Sequence, residues 1–221
     1  MKKLIIALAA LTVASSAYAT DLPLKKKHVA KHPAAVAAQV APVAAPAPSA
    51  PTTSVSADVG VEVDAGTNDR NKTAYTLGVE HQLGGGAFIA GQVQRQDTVA
   101  SGEKDSVEGS IGYKLPVTSS VDLKGSVGVG ERWVPGDEYS YYVGRLGADV
   151  KLSSNLTWNA VQYRYRDSFD SSKGFESHQI GTGVTYKISD AHSVYAKVYR
   201  SYDKDFGATD DGVLVGYKFS F

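Results

Sequence analysis

The sequence predicts an all-β fold: an up-and-down antiparallel transmembrane β-barrel of ten strands, with eight as the alternative count, behind a disordered N-terminal arm. Three observations predict it. From Ser54 onward, apolar and polar residues alternate in segments matching the roughly 9 to 11 residues of a tilted membrane-crossing strand. Turn-forming clusters separate these segments. Beyond residue 19 no stretch approaches the roughly 18 consecutive apolar residues of a spanning helix, so any span is β.

The first segment, 1–19, has the layout of a secretory signal. Lys2-Lys3 precede an apolar run from Leu4 to Val13, and Ala17-Tyr18-Ala19 forms a small-x-small cleavage site, so the mature chain is expected to begin at Thr20. The second segment, 20–53, is an arm. Lys25, Lys26, Lys27 and Lys31 make it basic, and six of the eight prolines lie between Pro23 and Pro51. Such a tract resists both helix and ladder formation and suits a semi-extended periplasmic linker. The third segment, 54–221, keeps 17 of the 23 basic residues and 22 of the 23 acidic ones, a net of −5. A basic arm on a mildly acidic exported domain excludes nucleic acid as a partner. The 221 residues include no cysteine, so the domain must hold together by hydrogen bonding and burial, which suits a closed barrel in lipid.

Ten segments carry the alternation. The first, Ser54 to Ala65, sets Val55, Ala57, Val59, Val61 and Val63 against Asp58, Glu62 and Asp64. The second, 73–83, sets Tyr75, Leu77 and Val79 against Thr76, Gly78 and Glu80, and Gly84-Gly85-Gly86 turns the chain. The third, 87–97, opposes Ile89 and Val93 to Gln92, Gln94 and Gln96; the fourth, 105–115, opposes Val107 and Ile111 to Glu108 and Lys114. The fifth, 121–132, places Lys124 and Arg132 on its polar face, and the sixth, 139–152, places Arg145 and Asp149 there. The seventh carries Arg164 and Arg166, the eighth, 177–188, Lys187, and the ninth, 193–203, Lys197. Short turns at 84–86, 116–120, 153–155 and 189–192 alternate with longer polar loops near 66–72, 98–104, 133–138, 167–176 and 204–211. That interleaving brings both ends of the domain to one side. The third and ninth segments decide between ten strands and eight.

The last segment, 212–221, has Val213, Val215, Tyr217, Phe219 and Phe221 on one face and Leu214, Gly216, Lys218 and Ser220 on the other. It resembles the closing strand of bacterial outer-membrane β-barrels, a family that includes small porin-like proteins. The resemblance implies an outer-membrane location, contact with outer-membrane lipid and lipopolysaccharide, and recognition by the barrel assembly machinery through Tyr217, Phe219 and Phe221. Some small barrels of this kind are joined to peptidoglycan through a mature N-terminus beginning Ala-Asp. Thr20-Asp21 is similar, with Thr in place of Ala, so Thr20, Asp21 and the four arm lysines are candidate cell-wall contacts. A water-soluble sandwich or lipocalin-like barrel is the competing architecture. The membrane reading rests on the signal, on a polar face rich in Gly, Gln and charge, and on aromatics at the strand ends: Tyr113, Tyr186 and Tyr217 at one, Tyr75, Trp133, Tyr165 and Tyr202 at the other.

If the apolar faces meet lipid, the polar faces line a lumen with segregated charge. Asp58, Glu62, Asp64, Glu80 and Glu108 form an acidic wall; Lys124, Arg132, Arg145, Arg164, Arg166, Lys187 and Lys197 form a basic one. Two functions follow: a narrow porin-like channel for small solutes or ions, or a structural envelope protein with a filled lumen, tethering outer membrane to cell wall through its arm. A ten-stranded barrel lies just above the size that side chains fill, so both stay open. Enzyme activity is not expected. His81 and His178 fall on the outward parity and His192 lies in a turn, so no histidine is set between an acid and a lumenal serine. Asp203, Asp205, Asp210 and Asp211 read as solvated loop acids, and neither a cofactor nor a metal is expected.

Overall fold

The computed structural model describes residues 52–221. The expected signal and all of the arm before Thr52 lie outside the described residues. Ten strands run in chain order as β1 (Thr53–Asp64), β2 (Arg70–Gly84), β3 (Ala87–Thr98), β4 (Gly102–Pro116), β5 (Val121–Val134), β6 (Asp137–Lys151), β7 (Leu156–Ser168), β8 (Ser177–Lys187), β9 (His192–Asp203) and β10 (Ala208–Ser220). Each pairs antiparallel with its neighbours in sequence, and β1 closes the ring on β10. The closing ladder runs from Ser54↔Ser220 to Asp64↔Asp210, and Thr53 and Phe221 exchange both backbone hydrogen bonds at 2.9 and 2.8 Å. Every strand among the described residues therefore has two partners, and none of them leaves an edge unpaired. β3 and β9 are paired on both sides along their length, which makes the count ten among the described residues.

Burial is inverted relative to a water-soluble domain. Outward side chains such as Leu77, Ile111 and Val127 are 61%, 57% and 65% exposed, whereas Glu62, Glu108, Asp122 and Arg166 are buried. Among the described residues the buried hydrophobic ones are Ala74, Phe88, Tyr141 and Val143, too few for an oil-drop core. Polar side chains line the inside, and the apolar face of the alternation lies outside.

The strands extend beyond their sequence-predicted ends at the pole away from the termini. Residues expected as long loops are absorbed into the ladders, leaving links at 65–69, 99–101, 135–136, 169–176 and 204–207. The alternation is lost there because both faces are charged, while backbone pairing continues. Arg95 and Asp105 are directly opposed, at 2.9 Å, and so are Arg200 and Asp211, at 2.7 Å. Only the β7–β8 link keeps a long loop, with a short helical turn at Ser171–Lys173.

Candidate functional site in the lumen

The lumen divides into two halves. In the half nearer the termini a cavity of about 560 Å³ extends from Ser54 and Lys218 up to Glu108, Arg145, Arg164 and Tyr199. The remaining half is packed. Tyr141, fully buried, and Val143 project inward from β6, beside Arg132 of β5 and Arg166 of β7. The β7–β8 loop completes this plug. Asp170 caps the helical turn by accepting from the Ser172 amide, and Gly174 at φ 60 takes the left-handed conformation that redirects the chain. Phe175 then enters the barrel mouth, where its ring lies 5.0 Å from Tyr139 and 5.6 Å from Tyr141. The guanidinium groups of Arg132 and Arg166 sit 4.9 and 5.7 Å from that ring. Outside the barrel, Lys173 donates to both oxygens of Asp137 at 2.6 and 2.7 Å, latching the loop to the β6 end; this bond raises the lysine above its ordinary pKa.

All but one of the acidic groups lining the cavity are paired with cations along the wall. Glu62 bonds Lys72, its direct cross-strand partner, at 2.6 Å and accepts from the Tyr199 hydroxyl at 2.9 Å. Asp58 is the exception: it accepts from Tyr195 at 2.9 Å, has no cation within ion-pair distance among the described residues, and its Oδ1 is buried without a hydrogen-bond partner. Glu80 lies 3.8 Å from Lys218. Asp122 takes Lys114 and Lys151 at 3.1 and 3.2 Å, and Asp149 takes Lys124 at 3.4 Å and the Asn159 amide at 2.7 Å. The tyrosines of β9 were not singled out as site residues from sequence. Their inward parity beside Lys197 was the available signal.

Two residues of the sequence-predicted walls stand apart. Asp64 does not line the lumen; it sits at the end of β1 and accepts from the Gly66 and Thr67 amides, capping the β1–β2 link. Lys187 sits at the opposite rim and bonds Asp190 of the next turn at 2.6 Å. Both fell at strand ends, where parity no longer decides which way a side chain goes.

The basic residues are brought together around one place. Arg145 and Arg164 are directly opposed on β6 and β7, with Arg166 one inward step further along β7. Glu108 bonds Arg145 at 2.5 Å. Among the described residues no carboxylate lies within ion-pair distance of Arg132, Arg164, Arg166 or Lys197. Arg132 bonds only the neutral Gln96 side chain, at 2.7 Å, and Lys197 lies 5.5 Å from the Tyr195 ring centre.

The comparisons with known proteins concern shape. No family model matches the chain, and no curated protein does. Among solved structures it is similar to the translocator domain of the autotransporter NalP from Neisseria meningitidis, with 11% identity over 78% of this chain and 89% of that one and a TM-score of 0.46. It is also similar to the β domain of the Bordetella autotransporter Brka, with 11% identity over 77% and 99% and a TM-score of 0.46. The KdgM porin aligns at 13% identity over 75% and 99%, with a TM-score of 0.42. None of these likenesses bears on what this chain does.

Proposed function

We propose that this chain is a β-barrel of the bacterial outer membrane that serves as a narrow, porin-like channel preferring small anionic solutes. The observation that carries this reading is the lumen itself: a polar cavity of about 560 Å³ in which, among the described residues, two cations, Arg164 and Lys197, have no carboxylate within ion-pair distance, against one acid, Asp58, that has no cation. Desolvated cations without partners are costly, and their retention beside a water-accessible space favours a mobile counter-ion. Single-channel recording of the refolded protein in a planar bilayer tests it. Discrete steps with an anion-selective reversal potential are expected, and Arg164→Ala with Arg166→Ala should move that potential toward cations. Unchanged selectivity in the double variant would sink the reading.

The Phe175 plug favours a second reading, a structural envelope protein with a closed lumen that is tethered by its arm. On that reading deletion of residues 21–51 releases the protein from purified cell-wall sacculi, through loss of Lys25, Lys26, Lys27 and Lys31 or of the Thr20-Asp21 end. Equal retention of the truncated form would rule out the arm as tether.

A further inference from the structure

We infer that the closed end of the lumenal cavity is a binding site for a small solute bearing oxyanion groups, carboxylate or phosphate, with Arg164 as its principal ligand and Arg145 beside it. The inference deepens the channel reading and rests on it for a water-accessible lumen.

Three observations converge on this place. Arg145 and Arg164 are cross-strand neighbours, and like charges set directly opposite each other destabilise a sheet. Glu108 neutralises one of the two, through Arg145, and is itself committed further by accepting from Tyr141 at 3.3 Å. Arg164 is left without a carboxylate while lining the cavity. One inward step beyond it, Arg166 is 5% exposed in the packed half and adds a further cation without a carboxylate behind the closed end of the cavity. An oxyanion seated against Arg164 would relieve the repulsion, and the planar fork of a guanidinium matches the two oxygens of a carboxylate or phosphate.

The surroundings define the ligand further. Lys197, on β9, lines the same cavity and offers a second positive charge, offset by the Asp58 carboxylate of the same lining, so a single anionic group seated at Arg164 is the best match. Gln92 on the β3 wall supplies a neutral donor and acceptor suited to a hydroxyl group, whereas Gln94 is committed to Thr76 and Gln96. The Phe175 plug lies just beyond Arg166, so the ligand's approach is from the half of the barrel that holds the chain ends.

The test is calorimetric titration of the refolded full chain in detergent micelles, with inorganic phosphate and with citrate as probes. Saturable binding of either probe is expected. Arg164→Gln should weaken it about tenfold to a hundredfold, the scale of losing a charge-assisted hydrogen bond. Arg164→Lys, which keeps the charge and loses the fork, should fall between the two, and Lys204→Gln on an exposed loop should bind like the unaltered protein. Heat-dependent gel mobility establishes that each variant is folded. Non-saturable binding, or equal affinity in Arg164→Gln and the unaltered chain, overturns the site. Conductance of the same preparations separates the two readings: a silent barrel that binds phosphate through Arg164 defeats the channel and keeps the site, whereas an anion-selective channel without saturable binding does the reverse.

Discussion

Inside the barrel, tyrosine rings and glycines are fitted to each other residue by residue. The Tyr199 hydroxyl reaches Glu62 only because the ring lies flat over Gly212; a Cβ there would stand 2.3 Å from ring atoms. Tyr195, which donates to Asp58, lies over Gly216 in the same way, with 2.4 Å to an added Cβ. The glycine supplies the space, and the tyrosine uses it to donate to a carboxylate, buried for Glu62 and half-buried for Asp58, whose desolvation would otherwise cost more. Gly212→Ala should therefore destabilise the barrel by about 1–3 kcal/mol through overpacking. Tyr199→Phe should cost about 1–3 kcal/mol by removing a donor from a charged acceptor. Because the displaced ring of Gly212→Ala already loses the Glu62 bond, the double variant should fall short of the sum. A double-mutant cycle from urea midpoints in detergent measures this, and strict additivity would show that ring and glycine act independently.

Among the elements, the β7–β8 loop contributes most to whether the lumen is open. Its length, its Asp170 cap and left-handed Gly174 place Phe175 between Arg132 and Arg166, while Lys173 anchors it to Asp137 outside. Phe175→Ala should raise single-channel conductance severalfold with little loss of stability. Lys173→Ala should lengthen open dwell times by freeing the loop, and conductance unchanged in both variants would place the constriction elsewhere. This element also marks the limit of what was legible in the sequence. Alternation of valines, leucines and isoleucines with Gly, Gln and charge revealed all ten strands and which of Lys124, Arg145, Arg164 and Lys197 face inward. It failed where that contrast disappears. The ladder above Arg95 and Arg200 is charged on its outward face, so it read as loop although pairing continues. Phe175 lies in a segment with no periodicity, and its inward course depends on one left-handed glycine and on two cations, Arg132 of β5 and Arg166 of the strand that enters the loop. Asp64 and Lys187 were misplaced because a side chain at a strand end can cap a link as readily as line a lumen.

At the scale of the whole molecule, the decisive feature is an apolar band facing outward around the ring, bounded above by the Arg95–Asp105 and Arg200–Asp211 pairs. On β1 it runs from Val55 to Val63, which at about 3.3 Å per residue and the usual barrel tilt spans on the order of 20 Å, close to the height of the lipid-facing band of outer-membrane barrels. Val59 and Val215 are directly opposed near its middle, while Val63 is opposed to Asp211 at its upper limit. In lipid the penalty for a charge depends on depth. Val215→Arg should cost about 2–4 kcal/mol in folding from urea into bilayers, and Val63→Arg about 0–1 kcal/mol. A water-soluble barrel gives a different pattern, since both positions would be surface substitutions worth roughly 0.5 kcal/mol or less, with no gradient between them. The measured gradient thus separates the two architectures that the alternation alone left in competition. It does so at positions whose side chains touch neither the lumen nor the loop, so no change in conduction can be mistaken for it.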